Sequence, residues 1–389
     1  MDQVAAMINE DVLNIQRSGI RQFFDKVAKV EGAVQLTLGQ PDFPTPVHVK
    51  DAAKDAIDRD QTSYTNNGGL PELQVAATEF LREKYGLGYD PTSEVITTVG
   101  ASQALDMTVR TILTRGDEVL LPVPAYPAYE PLIRLSGATP VYIDTSKTNF
   151  KLTKEAVQAA MTSRTRALFL SYPSNPTGQT LTETELMDLA SILREENIFI
   201  VSDEIYSELV YDHTHQSIAM FPGMKERTIV INGLSKSHSM TGWRIGFAFA
   251  PAELITQMLK VHSYNISCAS SISQHAALAA LTAGKNDAEP MRVEYEKRRN
   301  YMQERLHQMK LPVSKPEGAF YLFPSIQKTG LDSYAFAERL LAEEKLAVVP
   351  GTAFSRYGEG YVRLSYAYSM ENLAEACDRL ERFVSRLLP

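Results

Sequence analysis

The sequence has little of what marks several large protein classes. It contains no run of eighteen apolar residues, so no membrane-spanning helix is expected. It contains no block of basic residues, and 39 basic against 47 acidic residues leave a formal charge of −8. A nucleic-acid or membrane-surface partner is therefore not expected. Only two cysteines occur, Cys268 and Cys377. They lie far apart and fit reduced thiols in a cytoplasmic protein. No GxGxxG or P-loop pattern appears, which argues against a nucleotide, and no histidine–cysteine spacing calls for a metal. The first residues, MDQVAAMINEDVLNIQ, are acidic and lack the apolar core of a signal peptide. Internal repeats and low-complexity tracts are also missing.

What remains is an ordinary globular composition, 44% apolar and 22% charged over 389 residues. That length allows two domains around one large core. Residues 1 to about 35 read as an arm or short helix. The prolines of LTLGQPDFPTP force an extended connection. Helices are expected over VHVKDAAKDAIDR and from Pro71 to a stop at Gly86, with Leu70 before the proline. From residue 95 the texture alternates. VITTV, EVLLPV, PVYI, ALFLSY, IFIVSD, TIVIN and IGFAFA are seven strand candidates with helical patterns between several of them. Near-continuous apolar strands with intervening helices imply a mostly parallel α/β sheet covered on both faces. After about 285 the pattern becomes that of a smaller α+β domain. MRVEYEKRRNYMQERLHQM is a long charged helix, and GAFYLFP, LAVVPG and GYVRLSYA supply strands. In the last helix Leu373, Ala376, Cys377, Leu380, Phe383, Val384 and Leu387 repeat at three and four, with Ser369 as N-cap. The expected division is a large domain over 48–285, and a small one made of 286–389 with the arm, 1–47.

The chemistry concentrates at the ends of these strands. NGLSKSHSMTGWRIG (232 to 246) places Lys236 among hydroxyl residues just past TIVIN, where open α/β sheets keep their ligands. A lysine there can neutralise a phosphate or form a Schiff base with a carbonyl. Ser235 and Arg244 supply phosphate-type donors, which leaves the amine for the covalent role and points to pyridoxal phosphate. TVGASQALD (98 to 106) puts small residues before a helix N-terminus, an anion site in principle. VPAYPAY (123 to 129) holds Tyr126, able to stack on a flat ring. SYPSNPTG (171 to 178) presets the amide of Asn175 before a proline. FIVSDEIYSEL (199 to 209) ends an apolar strand on Asp203, a costly place for a carboxylate unless a cation meets it. A protonated pyridine nitrogen is such a partner, and Tyr206 could reach the ring's phenolic oxygen. Each stretch alone has a plainer alternative: a solvated lysine, an ordinary turn, a core tyrosine, a helix cap. His238 and His262 read as satisfied polar or core residues.

Taken together, SYPSNPTG, SDEIY and SKSHSMTGWRIG, in this order and spacing, resemble the class I/II aminotransferases, pyridoxal-phosphate enzymes with the aspartate aminotransferase fold (fold type I). The resemblance spans essentially the whole chain, from LGQPDF to YVRLSYA. INGLSKSHSMTGWRIGF, VHSYNISCASSISQ and KPEGAFYLFPS are similar to a narrower group, the bacillus-type aminotransferases assigned to N-acetyl-LL-diaminopimelate in lysine and cell-wall biosynthesis. The resemblance implies pyridoxal 5'-phosphate as cofactor, with Lys236 as Schiff-base lysine and Asp203 at the ring nitrogen. It implies Tyr206 and Asn175 at the ring oxygen, and Tyr126 stacking where aspartate-specific members usually carry tryptophan. The phosphate cup would be Ala101, Ser102, Gln103, Ser235 and Arg244, joined by Tyr64 of a neighbouring subunit in a homodimer with shared sites. Arg363 would fork onto the substrate α-carboxylate, beside Gly39, with Ile20 near the entrance. The implied partners are an amino acid and a 2-oxo acid, 2-oxoglutarate in particular. An aromatic or broad-specificity aminotransferase and a C–S lyase on the same fold are the alternatives. A DNA-binding regulator built on this fold is disfavoured by the charge and by motifs that begin near residue 38.

Overall fold

The computed structural model describes residues 7–15 and 26–388. Its strands in chain order are β1 (Val34–Gln35), β2 (Val95–Thr98), β3 (Glu118–Val123), β4 (Thr139–Asp144), β5 (Thr165–Ser171), β6 (Phe199–Asp203), β7 (Thr228–Gly233), β8 (Gly246–Phe249), β9 (Tyr321–Leu322), β10 (Leu346–Ala347), β11 (Val349–Pro350) and β12 (Val362–Ser365). β2 to β8 form one seven-stranded sheet in the order β2-β8-β7-β6-β5-β3-β4. It is parallel except at β8, which runs antiparallel to both β2 and β7. Each of the seven strand candidates is a strand of this sheet.

The sheet's own packing explains why its strands are apolar without alternation. In β5, Ala167 and Phe169 join one buried cluster, while Leu168 and Leu170 join another across the sheet. Ile200 and Val201 of β6 divide in the same way. Side chains alternate along a strand, so a sheet covered on both faces needs an apolar residue at every position. One cover includes the helices Gly100–Ile112 and Ala252–Ile266, and the other includes Glu183–Leu193. Near the β2 edge, Val49–Ala53, Leu73–Tyr85 and Ala276–Leu281 pack as a further cluster with Val230, Phe247 and Phe249.

The remaining elements gather on a separate core. β9, β12 and β11 make an antiparallel three-stranded sheet, and β1 pairs in parallel with β10. The helices Ala288–Gln308, Ser333–Glu344 and Met370–Ser385 pack on them. The long charged helix begins at Ala288, three residues before its expected start. Ser369 caps the last helix by accepting from the Asn372 N–H, and Cys377 is buried against the sulfur of Met302. The Val34–Gln35 pairing ties the early chain to this C-terminal core.

Candidate active site

Three parallel strands end side by side at Ser171, Asp203 and Gly233. Beyond those ends lies a cavity of about 460 Å³. After β7 the chain makes one short helical turn, Leu234–Ser237, which delivers Lys236 to the cavity. Gly100, with φ +72°, opens the helix Gly100–Ile112, and Arg244 lies directly over it. A Cβ on Gly100 would stand 2.5 Å from Arg244 Nη2, so a larger residue would strain the backbone and push the guanidinium aside. Ala101, Ser102, Ser235, Thr241 and Arg244 therefore line one end of the cavity, around a helix N-terminus. Hydroxyls, a guanidinium and a positive helix end are a donor set for a phosphate.

Asp203 occupies the middle. One of its oxygens accepts the Tyr129 hydroxyl at 2.7 Å, and the other accepts the Ile205 N–H at 3.2 Å. Ser171 lies 2.7 Å from the same Tyr129 oxygen, so the three groups form a chain. Burial raises the Asp203 pKa, and the bond from Tyr129 opposes the rise. Lys236 Nζ donates to the Gly39 carbonyl at 2.6 Å. Burial lowers its pKa to about 8, helped by the charges of Arg363 and Arg244 and opposed by Asp203. An amine with that pKa holds a usable neutral fraction near neutrality, unlike a free lysine at about 10.4.

At the other end stands Arg363, 2% exposed. Its Nη1 donates to Asn175 Oδ1 at 3.0 Å and its Nη2 to the Thr37 carbonyl at 2.6 Å. The guanidinium also packs on the rings of Tyr321 and Phe354, at 4.5 and 4.9 Å. Among the described residues no carboxylate pairs with it, and its Nε has no partner. A buried cation left this way is built to receive an anion. Lys236, Arg244 and Arg363 face a single lining carboxylate, Asp203, so the cavity as a whole favours a ligand carrying more than one negative charge.

The structure brings most of the sequence candidates together. Gly39, Ala101, Ser102, Tyr126, Asn175, Asp203, Tyr206, Ser235, Lys236, Arg244 and Arg363 all line the cavity. Tyr126 meets Tyr129 edge-on at 5.5 Å, and the Tyr206 hydroxyl lies 2.7 Å from that of Tyr321. Gln103 is the exception. Its side chain turns back to accept the Val99 N–H at 2.9 Å and pairs with His262 at 3.1 Å. It satisfies a backbone donor at the helix start instead of facing the cavity. Tyr64 is 87% exposed and lies outside the cavity lining of its own chain. Ile20 falls outside the described residues. His238 is a buried residue bonded to Ser237 and the Gly284 carbonyl, and burial lowers its pKa to about 4. Tyr129, Ser171 and Tyr321 were not singled out for a role. Tyr129 was visible as the second aromatic of VPAYPAY, and Ser171 as the first residue of SYPSNPTG.

Known proteins share this arrangement of sequence and fold. The family model described as aminotransferase class I and II matches residues 31–380. The chain is similar to a probable N-acetyl-LL-diaminopimelate aminotransferase of Bacillus subtilis, 55% identical over 97% of this chain and 96% of that one. It is also similar to aromatic-amino-acid aminotransferase 2 of Thermococcus litoralis, 43% identical over 95% and 96% of the two chains. Among solved structures, aspartate aminotransferase from Thermus thermophilus with maleate superposes with a TM-score of 0.92, at 38% identity, covering 96% of this chain and 99% of that chain.

Proposed function

The chain belongs to the class I and II aminotransferases, and we propose that it moves an amino group from N-acetyl-LL-2,6-diaminopimelate to 2-oxoglutarate. It has the aspartate aminotransferase fold and depends on pyridoxal 5'-phosphate. The observation that carries the catalytic assignment is the half-buried amine of Lys236, with its pKa lowered to about 8, among Asp203, Arg244 and Arg363. The choice of donor is supported by the 55% identical relative, whose name carries that substrate.

The residues present fit the cofactor. Asp203 is a buried carboxylate with no cation on it among the described residues, which suits a protonated ring nitrogen. The donor set around Gly100 suits a phosphate. Ala101, Ser102, Ser235 and Arg244 would hold that phosphate, with Tyr64 supplied by a second copy of the chain. Tyr126 would stack on the ring, while Tyr206 and Asn175 would bind its oxygen. When bound, pyridoxal 5'-phosphate supplies an aldehyde for an amine and a ring that withdraws electrons from the substrate's α-carbon.

This chain's own residues then do the rest. Arg363 takes the α-carboxylate, using the fork now shared with Asn175 and Thr37 and the unpartnered Nε. Gly39 forms the backbone edge beside it. Nζ of Lys236 would take the α-proton from the donor as base and, as acid, deliver it to the carbon that carried the cofactor's aldehyde, not back to the α-carbon. Asp203 would hold a proton at the ring nitrogen, with its carboxylate oriented by the Tyr129 hydroxyl. Residues 48–285 would carry the cofactor, and 1–47 with 286–389 would form the smaller domain. We take the enzyme as a cytoplasmic homodimer with shared sites.

A second donor class has an observation of its own. Tyr126 presents an aromatic face in the cavity, and one 43% identical relative is named for aromatic amino acids. The test is the visible spectrum of the cofactor-loaded protein during titration with single donors. Loss of its long-wavelength band with N-acetyl-diaminopimelate, and its return with 2-oxoglutarate, is the expected result. A response to aromatic donors alone would move the assignment to the second class. Pyruvate released without a 2-oxo acceptor would indicate a lyase instead.

A further inference from the structure

Residues 37–46, TLGQPDFPTP, form a strap with no helix or strand, and its first four residues line the cavity. Among the described residues, no backbone–backbone hydrogen bond is made by residues 37–45. Their position therefore rests on side chains and on bonds to side chains. At the start, Arg363 bonds the Thr37 carbonyl and the Tyr368 hydroxyl bonds the Leu38 N–H at 3.1 Å. At the far end, Thr45 donates to the Ser239 carbonyl at 2.7 Å and accepts from the Trp243 indole at 3.0 Å. Between these lies Gly39, whose carbonyl holds Lys236.

One charged attachment fixes the middle. Arg298 projects from the helix Ala288–Gln308, and its Nη1 spans both oxygens of Asp42 at 2.9 and 2.8 Å. Tyr295, one turn earlier, donates to the same carboxylate at 3.1 Å and meets Phe43 edge-on at 5.4 Å. The Arg298 guanidinium lies against both rings, 5.3 Å from Phe43 and 5.5 Å from Tyr295. Arg298 is 6% exposed while Asp42 is an exposed residue, so water screens the pair in part. Arg298 also donates its Nε to Glu294 at 3.1 Å. Nothing in the transfer chemistry uses Asp42 or Arg298 directly.

We infer that the Asp42–Arg298 pair is a positioning device that sets the Gly39 carbonyl against Lys236 and, with it, the cavity edge where the donor's carboxylate is taken. The second half of this inference rests on the proposed function. The first half rests on the strap alone. Releasing Asp42 leaves no bond through a strap side chain between Gly39 and Thr45, so the carbonyl wanders and the lysine is less shielded.

The test uses the full-length protein in two forms. In the cofactor-free form, acetylation of Lys236 by acetic anhydride is followed by peptide mass spectrometry, with exposed lysines as internal standards. Asp42→Asn and Arg298→Gln should each raise the Lys236 rate about threefold, the effect of losing one partly screened ion pair. The double variant should be no faster than either single one, because both remove the same interaction. Arg298→Lys keeps the charge but loses the ring contacts and the Nε bond to Glu294, so its labelling rate should fall between wild type and Arg298→Gln. In the cofactor-loaded form, the same two variants should raise KM for the amino donor with kcat within about twofold and an unchanged visible band. A merely structural role would lower the melting temperature and leave Lys236 labelling and KM alone, and that result overturns the inference. If the Asn and Gln variants do not fold, Asp42→Glu, with its longer arm, must shift the labelling rate, and no shift overturns it equally. A wild-type protein that transfers no amino group, while its labelling responds as stated, would overturn the proposed function and leave the strap standing. An active wild type with unresponsive labelling would do the reverse.

Discussion

Lys236 concentrates the chemistry in one amine. Its pKa near 8 follows from three causes, burial first and then Arg363 and Arg244, with Asp203 pulling the other way. The folded value lies below the ordinary lysine value of about 10.4, so the fold disfavours the charged form. The unfolded chain therefore binds more protons between about pH 8 and 10.4, and the group's contribution to stability rises with pH across that window. Two outcomes follow for the cofactor-free protein. The acetylation rate of Lys236 should titrate with a midpoint near 8. Lys236→Met should melt higher than wild type below pH 8, with the gap closing as the pH rises towards 10.4. A labelling midpoint near that of the exposed lysines would contradict the cause assigned here. At this scale the sequence was informative wherever one residue type in one place is costly, as with Asp203 at the end of an apolar strand. It was silent on partners separated along the chain. Tyr129 meets Asp203 across 74 positions, and no local pattern encodes that meeting. The Gln103 side chain turns back to the Val99 N–H, an outcome composition does not decide, because a glutamine near a helix start can face a ligand or cap the backbone.

At Gly246 the start of the helix Gly100–Ile112 and β8 meet backbone to backbone. A Cβ on Gly246 would stand 2.5 Å from Ala101 N and 2.6 Å from the Gly100 carbonyl carbon. Neither atom can give way without moving the helix start that Arg244 covers. Gly246→Ala is therefore expected to displace the proposed phosphate cup. The dissociation constant of pyridoxal 5'-phosphate, followed by fluorescence quenching, should rise by about tenfold or more, as for about 1.4 kcal/mol of lost binding. Unchanged affinity would mean that the helix start is not part of the phosphate site. The seven strands of the large sheet were legible because each is a short apolar run bounded by polar residues. Of the two-residue strands, β9 lies in GAFYLFP and β10 and β11 in LAVVPG, both readable as strand runs. β1 is defined by its partner more than by its own sequence, and only the pairing reveals which residues meet.

At the scale of the whole molecule, the cavity opens between the seven-stranded sheet and the C-terminal core. Lys236 and Asp203 come from one, and Arg363 and Tyr321 from the other. The sequence reached this joint site through the order of its motifs, while the packing between the two cores could not be read from either alone. Tyr64 is 87% exposed in its own chain, which is expected if a second copy receives it. Co-expression of Lys236→Ala chains with Tyr64→Phe chains should then give mixed dimers with one complete site, because Lys236 and Tyr64 of that site come from different chains. Tight cofactor binding and turnover should return to half the sites. If Tyr64 serves its own chain, no mixed dimer recovers a complete site.

The most direct test is reductive trapping of the cofactor. The purified protein is loaded with pyridoxal 5'-phosphate, reduced with borohydride, digested and mapped by mass spectrometry. The expected result is a single phosphopyridoxyl group on Lys236, lost in Lys236→Ala, whose transaminase turnover should vanish as well. A label on another lysine, or a Lys236→Ala protein that still transfers amino groups at the wild-type rate, would contradict the assignment of Lys236.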